Sequence, residues 1–268
     1  MQSDNLKELA LHLYIDGWYV LDEVIPRDKV GVVRESVKET VVRDPSPGSP
    51  KGVNNRPGLI NFDQSFSPYL TDPRLMGIAE RTFGPHFRIS MTSGMVNHPG
   101  SQRSGIHADW PFNQHNAGHI PAPYPDAVIH LTTICMLSDF TEENGGTIIV
   151  PGSHRSNNNP TGGMGINPVD PYPTELQVTG QAGNVMIFDS RLWHAAAPNR
   201  SGRSRVAMAI RFAPWWLNLD PMKPDSADRQ RMVEEANMKE NRVPAVPKSV
   251  YDSLPEDIKP LYRHWVGE

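Results

Sequence analysis

The apolar positions of the N-terminal part recur every three or four residues, which is typical of helices. Residues 5–13 carry four apolar side chains at this spacing, and Gly17 separates them from the strand-like run WYVLDEVI. A valine stripe over residues 30–41 predicts a second helix with one apolar face. Residues 71–85 predict a third, because a polar cap precedes a proline in the first turn and a Gly-Pro pair follows.

From residue 86 the pattern changes to short runs rich in β-branched residues, separated by Gly, Pro, Asn and Asp. These runs are FRISMTSGMV, AVIHLTTICML, GTIIVP, ELQVTG, NVMIFD and RVAMAIRFA. Because no helical pattern separates them, they predict an antiparallel sandwich or barrel. The turn-rich segment 44–58 predicts a loop that could act as a lid.

The fold class is therefore mainly β with helical flanks. We expect a single domain over residues 1–268, with a mostly helical part (1–85), a β-core (86–215) and a helical tail (216–268). The tail could cap the core or form a dimer interface, and the sequence leaves both open. A chain of 268 residues is long enough to bury a sizeable core.

Charge and cysteine content narrow the function classes. The chain has 26 basic and 30 acidic residues, so no basic excess indicates nucleic acid or an anionic membrane. The single cysteine, Cys135, excludes an internal disulfide and indicates a buried thiol. No leader or membrane-length apolar run is evident, which predicts a cytoplasmic protein. We expect its partner to be a small molecule and the protein to be a monomer or a homodimer.

The stretch SGIHADWPFNQH at 104–115 concentrates ionisable groups. On a strand, His107 and Asp109 would point to the same face, with Ala108 turned away. A metal site needs a third ligand, and the best candidate is His194, which follows the strand-like run NVMIFD. Two histidines and one carboxylate form the facial triad of non-haem Fe(II) oxygenases, which leaves positions for a 2-oxoacid and O₂.

A 2-oxoglutarate co-substrate would need a cation for its far carboxylate. Arg205 opens the last strong strand, eleven residues after His194, and a guanidinium binds a carboxylate in a bidentate manner. Arg200 and Arg203 are weaker candidates, because NRSGRS has the composition of a turn.

The ordered set HAD, NGGTIIVPGSH, GNVMIFDSRLWHAAAPN and the following arginine resembles the phytanoyl-CoA dioxygenase family over residues 15–213. This resemblance implies a double-stranded β-helix, a jelly-roll (cupin-like) core expected to close into a squashed barrel. It also implies His107, Asp109 and His194 on Fe(II), with Arg205 on 2-oxoglutarate. Because the acidic ligand is retained, it favours hydroxylation over halogenation.

The chain departs from the family's founding member at two positions. A serine that helps to hold 2-oxoglutarate is replaced by Ala196, and a tryptophan on the second core strand is replaced by Ile134. The hydroxyl of Thr132, on the same strand face as Ile134, is a candidate second contact with 2-oxoglutarate.

Aromatic and basic residues beside the ligands are candidates for binding an anionic or polar organic substrate. They are Arg103, Trp110, Phe112, Arg191 and Trp193. No separate acid or base residue is required.

The other histidines have simpler interpretations. His115 and His119 lie in a proline-rich segment and are interpreted as loop residues, whereas His130 and His154 are interpreted as structural. Gly145-Gly146 predicts a hairpin turn and not a phosphate loop.

The sequence predicts an Fe(II)- and 2-oxoglutarate-dependent dioxygenase that hydroxylates a small or medium organic metabolite and releases succinate and CO₂. Two alternatives remain open. One is a metal-dependent cupin-like enzyme that does not use 2-oxoglutarate, and the other is a non-catalytic ligand-binding jelly roll.

Overall fold

The computed structural model describes residues 3–46, 51–110, 126–156, 160, 166–237 and 241–267. Its α-helices are α1 Ser3–Ile15, α2 Arg27–Arg43, α3 Pro73–Phe83, α4 Ala227–Arg229, α5 Lys248–Ser253 and α6 Lys259–Tyr262. A π-helical turn, Gln230–Glu234, continues α4. Short 3₁₀ turns cover Leu59–Asn61, Ser67–Tyr69, Ser153–Arg155, Asp220–Met222 and Arg263–Trp265. None of the helices in these ranges combines the length and apolarity that crossing a membrane requires.

Nine strands lie in the described ranges. They are β1 Trp18–Leu21, β2 Val53–Pro57, β3 Arg88–Asn97, β4 Leu131–Met136, β5 Thr147–Ile149, β6 Leu176–Gln177, β7 Val185–Asp189, β8 His194–Ala196 and β9 Arg205–Ala213. Six form an antiparallel sheet in the order β1-β7-β4-β9-β3-β2, and three form a second antiparallel sheet in the order β6-β5-β8. The mainly β fold class is confirmed. The two sheets remain separate within the described residues, so the expectation of a closed barrel is corrected.

Alternation along the central strands separates a packed face from a cavity face. On β9 the even positions from Val206 to Phe212 are buried in the main core, whereas Arg205, Ala209 and Arg211 line a cavity. On β4, Leu131 and Cys135 join the main core, and Thr132 and Ile134 face the cavity. Successive strand side chains point to opposite faces, so the sequence dictates both surfaces.

Helix α2 covers the packed face of the large sheet. Its predicted valine stripe is buried, and Val37 and Val41 reach β3 where Gly94 stands. A Cβ at Gly94 would lie 2.4 Å from Cγ2 of Val41, so only glycine permits this approach. The three N-terminal helices form as predicted, and α3 is capped by Asp72, whose side chain accepts a hydrogen bond from the Arg74 amide.

Strand β2 was not predicted. Residues 53–57 lie in the segment expected to be a loop, yet they pair with β3 at the edge of the large sheet. Pro57 is tolerated there because an edge strand needs fewer backbone donors. The lid expectation for 44–58 is therefore wrong for this strand, and residues 47–50 lie outside the described range.

The C-terminal tail is anchored by a buried arginine. Arg229 donates hydrogen bonds from Nη1 to the carbonyl oxygens of Pro221 (2.9 Å) and Asn241 (3.2 Å), and from Nε to Glu234 (2.9 Å). Asn241 lines the same cavity as Arg205, which supports the capping interpretation of the tail. The single-domain organisation over 1–268 stays a prediction.

Candidate metal centre

The three predicted ligands converge at one wall of the cavity. His107 and His194 form an isolated antiparallel bridge, in which each amide donates to the other's carbonyl oxygen at 2.9 and 2.8 Å. The HAD segment is therefore held by a bridge and is not part of a longer strand, which corrects the sequence expectation. The amides of Asp109 and Trp110 both donate to the Ser190 carbonyl oxygen, which fixes this segment against the end of β7.

The ligand atoms are close enough to share one ion. Candidate donor atoms of His107, Asp109 and His194 all lie within 4.8 Å of one another. Nε2 of His194 is 3.7 Å from Oδ2 of Asp109, and the two imidazole centroids are 4.3 Å apart. Ala108 is buried in a separate apolar cluster, so it faces away from the ligands, as the spacing predicted.

Backbone carbonyls set the orientation of both imidazoles. Nδ1 of His107 is 3.0 Å from the Gly105 oxygen, and Nδ1 of His194 is 2.9 Å from the Leu192 oxygen. A carbonyl only accepts, so Nδ1 carries the proton and Nε2 keeps its lone pair. Burial, followed by the charge of His107, lowers the pKa of His194 to about 4 against the pull of Asp109, so this ligand is neutral at physiological pH.

Asp109 is held as an oriented anion. Nη2 of Arg211 donates to its Oδ1 at 2.6 Å, and Oγ1 of Thr132 donates to its Oδ2 at 3.0 Å. Burial by itself would raise the pKa of this carboxyl, but the charge of Arg211, then His194, His107 and the Thr132 hydrogen bond outweigh it and hold the pKa well below its usual range. Asp109 is therefore ionised, as a metal ligand must be.

A buried hydrogen-bond chain supports the Asp109 carboxylate. Oγ1 of Thr132 lies 2.8 Å from Oγ of Ser190, which lies 2.9 Å from Nδ1 of His130. Nε2 of His130 lies 2.7 Å from Oγ of Ser90. Burial, with a smaller contribution from Arg211, lowers the pKa of His130 to about 3, so His130 is a neutral core histidine, as predicted.

These residues fit a divalent iron. They offer two imidazole nitrogens and one carboxylate oxygen at a cavity, the donor set of non-haem Fe(II) oxygenases, which leaves coordination positions open. Both histidines and the carboxylate have the outer hydrogen bonds that metal ligands in proteins characteristically make.

The cavity has a volume of about 260 Å³ and extends from the ligands to Arg205. Arg205 is 3% exposed, and its guanidinium lies 4.5 Å from the centroid of the Phe140 ring. Its Nε is buried without a hydrogen-bond partner among the described residues, and no described carboxylate forms an ion pair with it. Burial lowers its pKa to about 10, so it stays charged at neutral pH.

The positions that depart from the founding family member also face this cavity. Ile134 and Ala196 both line it. The hydroxyl of Thr132 lines it too, but it is bonded to Asp109 and Ser190. In this structure Thr132 therefore orients the carboxylate of Asp109. A contact between Thr132 and 2-oxoglutarate stays a prediction.

The predicted substrate residues are placed differently from expectation. Arg103 forms a bidentate ion pair with Glu175 at 2.8 and 2.7 Å, and Arg191 forms a buried ion pair with Asp189 at 2.7 Å. Neither is among the described residues that line the cavity, so the interpretation of both as substrate contacts is not supported.

The two described tryptophans near the ligands are core residues. Trp193 is buried and packs edge-on against Tyr172 at 5.7 Å, and Trp110 is buried near His130. Neither lines the described cavity wall. Phe112 lies outside the described residues, as do His115 and His119.

The sequence interpretation missed six polar residues of the described cavity wall, namely Asn55, Ser93, Ser104, Thr147, Arg211 and Asn241. Arg211 carried a usable signal, because it is six residues after Arg205 on one strand and so shares its face. Asn55 lies on the unpredicted β2, and Asn241 comes from the tail, so neither had a periodic pattern to mark it.

The structure agrees with the interpretation of Cys135 as a buried thiol, of His154 as a structural residue and of Gly145 as part of a turn. Cys135 is buried, and burial raises the pKa of its thiol to about 12. His154 is buried, with Nε2 lying 3.3 Å from the Tyr14 carbonyl oxygen. Gly145 has a φ of 87°, consistent with a turn.

The family model for phytanoyl-CoA dioxygenase (PhyH) matches residues 21–207. The chain belongs to the phytanoyl-CoA dioxygenase family. The match includes the three ligands and Arg205, and it ends before Arg211 and Asn241.

Curated relatives include proteins named as dioxygenases. Dioxygenase andF of Emericella variicolor is 32% identical over 62% of this chain and 55% of its own length. The uncharacterized protein Rv1501 of Mycobacterium tuberculosis is 26% identical over 58% of this chain and 53% of its own. The chain thus aligns with little more than half the length of these relatives.

Solved structures share the fold. HygX from Streptomyces hygroscopicus, crystallised with nickel and 2-oxoglutarate, has a TM-score of 0.65 at 17% identity and covers 88% of this chain and 95% of its own. The epimerase SnoN, in complex with Fe³⁺, alpha-ketoglutarate and nogalamycin RO, has a TM-score of 0.63 at 18% identity and covers 80% and 85%. At these identities the likeness establishes the double-stranded β-helix architecture alone.

Proposed function

We propose that the protein is a non-haem Fe(II)- and 2-oxoglutarate-dependent dioxygenase that hydroxylates a small or medium organic metabolite. The observation that carries the proposal is the convergence of His107, Asp109 and His194 in one cavity with the buried cation Arg205, which has no carboxylate partner in the described part of the chain. When bound, iron supplies the site at which O₂ is reduced while 2-oxoglutarate is converted to succinate and CO₂.

His107, Asp109 and His194 would hold the iron. Gly105 and Leu192 orient the imidazoles, and Arg211 and Thr132 orient the carboxylate, so the ligands are preorganised before the metal binds. Such preorganisation reduces the reorganisation that binding has to overcome.

Arg205 would bind the far carboxylate of 2-oxoglutarate. A guanidinium buried beside Phe140 keeps its charge, and it gains a counter-ion when the co-substrate enters. The apolar wall formed by Met91, Met95 and Ile134 limits water in the same cavity. None of the described residues beside the ligands needs to act as a separate acid or base.

Anaerobic absorbance of the purified protein with Fe(II) and 2-oxoglutarate tests the proposal. We expect a visible charge-transfer band that appears only when both are present, since it arises from the chelate. A protein that binds iron but gives no band on addition of 2-oxoglutarate would favour the cupin-like enzyme, and one that binds no divalent metal would favour the ligand-binding jelly roll.

A further inference from the structure

The described wall of the cavity carries more positive than negative charge. Its ionised side chains are Arg205, Arg211 and Asp109, and histidine binds metals in its neutral form. With iron and 2-oxoglutarate bound, the two carboxylates of the co-substrate balance the metal, and Asp109 balances one guanidinium. One positive charge remains without a counter-ion, and an unpaired buried charge is costly.

The segments outside the described residues offer few acidic groups that could balance this charge. Residues 111–125 and 157–165 contain no aspartate or glutamate. Glu240 is the internal exception, and it directly precedes the cavity residue Asn241. Glu240 therefore belongs in the experiment as a control.

The two arginines serve different ends of the cavity. They are six residues apart on β9, which places their Cα atoms about 20 Å apart at a strand rise of about 3.3 Å per residue. Arg211 is beside the metal ligand Asp109, whereas Arg205 is beside Phe140. A 2-oxoglutarate held by the metal and Arg205 therefore leaves Arg211 available to another molecule.

Arg211 has capacity for a second partner. Its Nη2 is bonded to Asp109, but its Nε is buried without a hydrogen-bond partner among the described residues. The side-chain oxygen of Asn55 is likewise buried and unpartnered in the described part of the chain, and Asn55 lines the same cavity. The wall therefore presents an N–H that needs an acceptor and an oxygen that needs a donor.

We propose that the substrate of this site carries a single carboxylate, which Arg211 binds on the side of the metal away from Arg205. This inference rests on the proposed function and deepens it by naming the substrate class. The carboxylate balances the remaining charge, and an N–H or O–H group close to it satisfies Asn55. A cavity of about 260 Å³ that also holds 2-oxoglutarate admits a small acid or the small acidic end of a larger one.

Anaerobic calorimetry on the protein loaded with Fe(II) and 2-oxoglutarate tests the substrate class. The probes are propionate, hexanoate, benzoate and phenylacetate, each paired with its primary amide, together with phenyl phosphate. We expect at least one acid to bind about 10- to 100-fold more tightly than its amide, as for a hydrogen-bonded charge. The charge-transfer band, recorded on the same samples, shows that 2-oxoglutarate stays bound.

The variant Arg211→Gln should abolish the preference for the acid, and Arg211→Lys, which keeps a charge beside Asp109, should reduce it. Arg203→Gln removes an equal charge from a turn outside this cavity and should leave the preference unchanged. Glu240→Gln should also leave it unchanged. If Glu240→Gln increased the preference for the acid over its amide by about tenfold or more, Glu240 would be the counter-ion of Arg211 and the proposal would be overturned.

Three further results would overturn the proposal. They are equal binding of every acid and its amide by the wild type, a preference that survives Arg211→Gln, and tighter binding of phenyl phosphate than of any carboxylate. A wild-type sample without the charge-transfer band would instead remove the proposed function, and the substrate assignment with it. The two failures are therefore distinguishable in one set of samples.

Discussion

Nη2 of Arg211 lies 2.6 Å from Oδ1 of Asp109, although the two residues are 102 positions apart in the chain. The other carboxylate oxygen, Oδ2, lies 3.7 Å from Nε2 of His194 and accepts from Thr132. The contact with Arg211 leaves Oδ2 as the oxygen turned toward the imidazoles. The orientation of Asp109 is therefore set by two strands, β9 through Arg211 and β4 through Thr132.

Removal of the Thr132 hydroxyl should weaken iron binding. The variant Thr132→Val removes the hydrogen bond to Oδ2 of Asp109 and disconnects the carboxylate from Ser190 and His130. Loss of an outer hydrogen bond to a metal ligand typically costs about 10- to 100-fold in affinity or activity. Anaerobic Fe(II) titration of the variant and the wild type measures the change.

Thr133→Val is the matched control for that variant. Thr133 is equally buried, but its hydroxyl donates to the Ile210 carbonyl oxygen on β9. Its replacement should lower the melting temperature and leave Fe(II) affinity unchanged. Equal losses of affinity in both variants would show that β4 packing, and not the hydrogen bond to Asp109, is responsible.

Replacement of Arg205 should separate co-substrate binding from metal binding. Arg205→Ala removes the buried guanidinium, so we expect the KM for 2-oxoglutarate to rise about 30- to 1000-fold, from a loss of about 2–4 kcal/mol of binding free energy. Fe(II) affinity should stay close to that of the wild type, since the guanidinium of Arg205 lies over the Phe140 ring and bonds to no metal ligand among the described residues. Steady-state kinetics and Fe(II) titration give the two quantities.

Arg203→Ala provides the comparison for Arg205, because Arg203 lies two residues earlier, in the turn before β9. It should leave the KM for 2-oxoglutarate unchanged. If Arg203→Ala raised the KM for 2-oxoglutarate more than Arg205→Ala did, the assignment of the co-substrate carboxylate to Arg205 would be wrong.

Much of the fold and the ligand set could be predicted, because both follow from periodicity and spacing. The alternation of RVAMAIRFA separates its core face from its cavity face, and the two-residue spacing of His107 and Asp109 turns Ala108 away. Arg211 was predictable by the same alternation. Its importance depends on a partner 102 residues away, which no local pattern reveals.

The contacts that particular residues make explain where the structure departs from the sequence expectation. Arg103 is neutralised by Glu175, 72 residues distant, and Arg191 by Asp189, so proximity to a ligand in sequence did not bring either guanidinium to the cavity wall. Strand β2 is an edge strand with the polar sequence VNNRP, and it forms because β3 offers backbone partners.

His130 should make the folded state sensitive to acid. Its pKa in the folded protein is lowered to about 3 by burial, below the ordinary value of 6.5, so the unfolded chain binds a proton more readily. Its contribution to the free energy of unfolding is complete above pH 6.5 and is lost as the pH falls toward 3, by at most about 1.4 kcal/mol per pH unit. Denaturant unfolding at several pH values between 7 and 4 measures this slope.

The variant His130→Gln isolates that effect, because glutamine has an amide that can meet Ser90 and Ser190 but does not titrate. It should be less stable than the wild type at pH 7 and lose less stability on acidification. Parallel pH profiles for the two proteins would show that His130 does not determine the slope.

The most direct measurement of the central claim is an anaerobic Fe(II) titration of the wild type, Asp109→Ala and His115→Ala, followed by calorimetry. Wild type should bind one Fe(II) per chain. Asp109→Ala should lose this binding and melt at a lower temperature, because Arg211 loses its buried ion pair. His115→Ala should bind iron as the wild type does. Loss of iron in His115→Ala together with full binding in Asp109→Ala would contradict the assignment of His107, Asp109 and His194 as the metal ligands.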